Sequence, residues 1–89
     1  MFNFTENEAR AVKALYATCL NNMGGKTFKD LENDPFTWVG ADDLVSAGWT
    51  KHEAAGTFSA LADKLAIDEA EPREWALNMK AAKWASENI

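Results

Sequence analysis

Two stretches of this chain share one spelling. Thr5-Glu6-Asn7-Glu8 and Thr50-Lys51-His52-Glu53 each set a threonine three residues ahead of a glutamate, with apolar residues following at three- and four-residue steps. In that pattern the threonine hydroxyl accepts from the glutamate amide, and the glutamate side chain reaches back to the threonine amide, so a helix start is secured from both sides. Behind the first box, Val12, Leu15, Tyr16, Cys19, Leu20 and Met23 form one apolar stripe, and Gly24-Gly25 stops it. The spacing predicts a helix over 6–23, with Phe4 placed to staple against its first turn. Behind the second box, Ala54, Phe58, Leu61, Ala62 and Leu65 form another stripe. This predicts a helix over 51–65 with those five side chains turned inward.

The segment between the two helices is shorter in its periods. Phe28 and Leu31, three apart, predict a helical turn within 26–33, which Asp34-Pro35 ends. Phe36-Thr37-Trp38-Val39 is β-prone and predicts a small strand. Gly40 opens a short helix over 41–47, with Leu44 and Val45 inward and Asp42 and Asp43 in the first turn, where the helix dipole favours negative charge. Gly48 closes that helix and Trp49 follows. After residue 65 the period changes to two. Trp75, Leu77 and Met79 alternate with Glu74, Asn78 and Lys80, which predicts a strand over 73–80. Leu65-Ala66-Ile67 is the expected facing strand, with Asp68–Pro72 as the turn between and a short helix at the end. The competing reading is one helix from Pro72 to Asn88, since proline suits a first helical position.

The resulting order is helix, turn, strand, helix, tight turn, helix, strand, turn, strand, helix. It resembles a winged helix-turn-helix domain over residues 36–80, carried by the Gly48–Thr50 turn, the capped helix after it and the hairpin. The resemblance implies a mainly α fold with a small β-hairpin, built as a three-helix core with a projecting wing. It also implies that the second helix of the pair enters the DNA major groove while the wing touches the backbone or minor groove.

On that register the outward face of the 51–65 helix carries His52, Gly56, Ser59 and Asp63, with Lys51 and Ala55 beside it. Lys51 and His52 are able to donate to phosphates or base edges, Ser59 more weakly, and the small side chains at 55, 56 and 59 permit close approach. The alternative for Gly56 is purely structural: it makes room for a neighbouring helix or for Trp49. The charge pattern departs from that of a DNA reader. No arginine or asparagine stands on this face to pair with guanine or adenine. The expected wing sets Asp68, Glu69, Glu71 and Glu74 against Arg73 alone, and the whole chain has a net charge of −5. The remaining cations include Arg10, Lys13, Lys26, Lys29, Lys80 and Lys83.

Other chemistry finds little support. The lone histidine is His52, and the lone cysteine, Cys19, lies on an inward stripe, so no nucleophile–base pair is set up and no disulfide forms within the chain. Asp42 and Asp43 are adjacent on a helix and point apart, as capping residues do. No metal-ligand spacing or phosphate-binding glycine loop is present, so no catalytic residue, metal or cofactor is expected. The 89 residues are expected to make one domain, 1–89, in a reducing, cytoplasmic setting. The start MFNFTENEAR does not read as a signal peptide, and no apolar run approaches the roughly 18 residues a membrane span needs. Two functions fit. One is a small nucleic-acid-binding or transcription-regulatory protein, with a homodimer possible. The other is an acidic interaction module, of the kind a phage or mobile element carries, that docks on a basic, nucleic-acid-binding protein.

Overall fold

The computed structural model describes residues 2–72 and 74–88. In chain order the elements are α1 (Glu6–Met23), α2 (Phe28–Asn33), β1 (Trp38–Val39), α3 (Ala41–Ser46), α4 (Lys51–Asp63), β2 (Ile67–Glu71), β3 (Glu74–Leu77) and α5 (Met79–Glu87). The fold is mainly helical with one three-stranded antiparallel sheet in the order β1-β3-β2. The strand before α3 therefore pairs with the second strand of the hairpin, Trp38 opposite Ala76 and Val39 opposite Trp75. Of the two readings of the C-terminal stretch, a strand followed by a short helix is the one observed.

Helix α1 is the hub. Val12, Leu15, Tyr16 and Cys19 are buried as its stripe predicts, joined by Ala11, and α2, β1, α3, α4 and α5 all pack on it. Both predicted capping boxes form: Thr5 Oγ1 accepts from the Glu8 amide at 3.2 Å and Thr50 Oγ1 from the Glu53 amide at 3.1 Å. Phe4 lies edge-on to Trp84 of α5 at 4.8 Å and stacks on Phe2, so its ring ties the N-terminus to the last helix.

Glu8 does more than cap. It is buried, accepts from the Thr5 amide at 2.8 Å and forms an ion pair with Lys64 just past α4. Lys64 Nζ also donates to the Asn3 carbonyl at 2.7 Å. The hydrogen bond from Lys64 is the largest influence on the Glu8 carboxyl; with the Thr5 amide it holds the pKa below the ordinary value, against the opposing effect of burial.

Three helix ends close on the same pair of backbone bonds. At α1 the Gly25 amide donates to Leu20 and that of Gly24 to Asn21; at α3 Trp49 donates to Leu44 and Gly48 to Val45; at α4 Ala66 donates to Leu61 and Leu65 to Ala62. This closure requires a residue in the left-handed region. Gly24 and Gly48 fill it at φ 71° and 107°, but at α4 the residue is Leu65, at φ 62°.

Leu65 accordingly corrects the predicted stripe. Helix α4 ends at Asp63, and the left-handed turn swings Leu65 outward to 68% exposure. Ala54, Phe58 and Leu61 alone are the buried residues of α4. Three further expectations shift. Val45 is exposed, leaving Leu44 as the buried residue of α3. Asp68–Glu71 belong to β2, because the hairpin pairs Asp68 with Ala76 and Glu69 with Trp75, so the reversal falls after Glu71. Met79 opens α5, with Asn78 accepting from the Lys80 amide at 2.8 Å as its cap, so the strand stops at Leu77.

Phe58 is buried and meets Trp75 of β3 edge-on, with ring centroids 5.9 Å apart, which joins α4 to the sheet. Phe58→Ala is expected to cost about 3–5 kcal/mol, the usual range for emptying a core aromatic site. A melting temperature within a few degrees of the parent contradicts this placement. Glu8 makes a pH-dependent contribution. Its pKa is lowered on folding from the ordinary 4.5, so its stabilisation is complete above that value and is lost as pH falls through the folded pKa. Glu8→Gln should flatten the acid limb of a stability–pH curve; parallel acid limbs for parent and variant contradict the assignment.

Candidate interaction face on α4 and the hairpin

The local sequence explains why α4 presents the face it does. Gly48 turns the chain left-handed after α3, Trp49 sits half-buried, and Thr50 starts the next helix at once. The guanidinium of Arg10 lies over the Trp49 ring at 5.2 Å, so α1 braces this turn and brings a fixed positive charge beside the start of α4. The Glu53 carboxyl is held below its ordinary pKa, first by the Thr50 side-chain hydrogen bond and then by the Thr50 amide, with smaller contributions from Arg10 and His52.

Lys51, His52, Ala55, Gly56 and Ser59 are all exposed. Gly56 settles a choice left open by the sequence. A Cβ built on it meets nothing within 4 Å, so neither a neighbouring helix nor Trp49 needs the space. The structural account of this glycine is thereby overturned, and the outward face of α4 has no packing task at that point.

The hairpin adds negative charge. Asp68, Glu69, Glu71 and Glu74 are all exposed, and an irregularity in the pairing lies between Glu69 and Glu71. Asp68 accepts from Asn78 Nδ2 at 2.9 Å, which ties the base of the hairpin to the start of α5. Arg73, the one cation expected in the wing, lies outside the described residues.

The cations the sequence left scattered fall into separate places. Arg10 covers Trp49; Lys13 lies 5.8 Å over Trp84; Lys26 and Lys29 lie together beside Phe28 and Tyr16; Lys64, Lys80 and Lys83 line a groove beside α5 that shares no residue with the outward face of α4. Leu65 lies in the same groove, a feature that counting apolar residues had assigned to the core. The sequence signal for it was the absence of a glycine where α4 needs one.

The remaining candidate chemistry resolves into structure. Asp43 accepts from the Gly40 amide at 2.8 Å and so caps α3, while Asp42 is exposed. Cys19 is fully buried, and burial, reinforced by the Asp43 carboxylate, pushes its thiol up to about 12. Among the described residues no group of three or more His, Cys, Asp and Glu is arranged to hold a metal ion, and no helix is long and apolar enough to cross a membrane. Comparison with protein-family models, curated proteins and solved structures yields no match.

A thiolate is the reactive form of cysteine, and Cys19 has almost none. Labelling of the native chain by a thiol reagent near neutral pH should therefore proceed only through unfolding, and become fast in denaturant. Rapid labelling under native conditions contradicts the burial of Cys19.

Proposed function

We propose that this chain is a winged-helix-type domain without catalytic activity, acting as a nucleic-acid-binding regulator through the outward face of α4. The observation that carries the reading is the freedom of that face: Lys51, His52, Ala55, Gly56 and Ser59 are exposed, and nothing stands within 4 Å of a Cβ at Gly56. The topology supports it. A tight turn joins α3 to α4, a hairpin follows, and the strand ahead of α3 pairs with the hairpin's second strand. In winged-helix domains the helix in the position of α4 lies in the major groove. The start of α4 offers the amino end of a helix dipole, Lys51, His52 and the neighbouring Arg10 to phosphate. The small residues at 55, 56 and 59 let the helix backbone come close to a groove floor.

A second reading rests on the hairpin. Its four exposed carboxylates repel phosphate, so they favour a basic protein surface, such as that of a nucleic-acid-binding partner. A phage or mobile-element accessory protein acting in the cytoplasm is a setting that suits this mode.

Fluorescence anisotropy with a labelled duplex separates the two. Under the nucleic-acid reading, affinity falls steeply with salt because bound phosphates release counterions, and Lys51→Glu weakens binding while reducing the salt slope by about 1. Glu69→Lys with Glu71→Lys tightens it. No anisotropy change with any duplex at low salt, with folded protein in excess, removes the nucleic-acid reading and leaves the basic protein partner.

A further inference from the structure

Leu65 is in a conformation that other helix ends of this chain give to glycine, and its side chain is not compensated by burial. A left-handed backbone is unfavourable for any residue with a Cβ. Gly24 and Gly48 avoid that cost at the equivalent positions of α1 and α3, whereas Leu65 bears it at φ 62° while 68% exposed. Its side chain lines a groove of about 630 Å³ whose other apolar walls are Phe2 and Trp84. The rim carries both signs of charge: Lys80 and Lys83 from α5, with Lys64 already engaged by Glu8, and Asp68 and Glu87 from β2 and the end of α5.

We infer that this groove is the contact between two copies of the chain, related by a twofold axis near Leu65. A closed pair brings one patch onto itself, so the patch must complement itself. An apolar centre meets its own image without penalty, and a rim of mixed sign lets the lysines of one copy meet the carboxylates of the other. A nucleic acid or an acidic peptide in the same groove faces Asp68 and Glu87, and a basic one faces Lys80 and Lys83, so a second copy is the occupant that satisfies the whole rim. The groove is separate from the outward face of α4, and the inference does not depend on what that face binds.

Sedimentation equilibrium of the whole chain, from micromolar to millimolar concentration, tests it. A monomer–dimer equilibrium is expected. Leu65→Gly should weaken association at least tenfold while melting at the same or a higher temperature in dilute solution, an opposed pair of effects that damage to the core does not produce. Lys80→Glu with Lys83→Glu makes one patch acidic, and Asp68→Lys with Glu87→Lys makes another basic. Each variant alone should stay monomeric, and an equimolar mixture of the two should form a 1:1 pair, with circular dichroism confirming that both are folded. A parent that stays monomeric throughout overturns the inference, including one that takes a glutamate-rich peptide or a duplex into the groove instead. So does a Leu65→Gly variant that associates like the parent, or a mixture of folded charge variants that does not pair.

Discussion

The buried stripe of α1 is the constraint on which the other elements depend. Val12, Leu15, Tyr16 and Cys19 form a surface against which α2, β1, α3, α4 and α5 are all arranged. In a chain this small the core is limited, and that one stripe is the surface its other buried residues share. The N-terminal end of the stripe is secured electrostatically. Glu8 joins its own helix start to Lys64 after α4, so the first and fourth helices are linked by an ion pair whose carboxylate is buried and whose ammonium is partly exposed, with additional backbone partners. The pair is costly to break from the Lys64 side, because the Glu8 carboxylate is then left buried without its cation.

From this arrangement follows the division of labour within α4. Ala54, Phe58 and Leu61 commit one side to α1 and the sheet, and the opposite side is left to solvent. The polar residues there are few and the side chains small, while the adjoining hairpin is strongly acidic. Among the described residues, the cations apart from Lys51 lie on or beside α1, α2 and α5, or just past α4 at Lys64. The hairpin carries four exposed carboxylates, and Arg10, braced on Trp49, sets a positive charge near the start of α4.

Local rules made much of this legible. The capping boxes at Thr5 and Thr50 and the glycines after α1 and α3 are short-range signals, and the helices start and turn where these residues put them. What was not legible was decided by tertiary geometry. Leu65 fits the three-and-four-residue stripe perfectly well in sequence, yet the left-handed closure of α4 takes it out of the helix. Asp68–Glu71 looked like a turn because carboxylates are depleted in strands, but pairing with β3 outweighs that local preference where both faces are wet. The candidate face was readable as a list of outward residues. Whether Gly56 served packing depended on neighbours distant in sequence, and the charge-bearing groove beside α5 is assembled from Phe2, the turn after α4, β2 and α5, which no short window contains.

At Gly56 the outward face of α4 has open space, so the fold does not need that position for packing. Gly56→Ala measures this directly. With open space around the position, the added methyl should raise helix propensity without a clash, stabilising the isolated chain by about 0.5–1 kcal/mol. A higher melting temperature for the variant is the result this account predicts. A lower one would mean that the chain itself requires the missing side chain, and that the face is packed rather than presented.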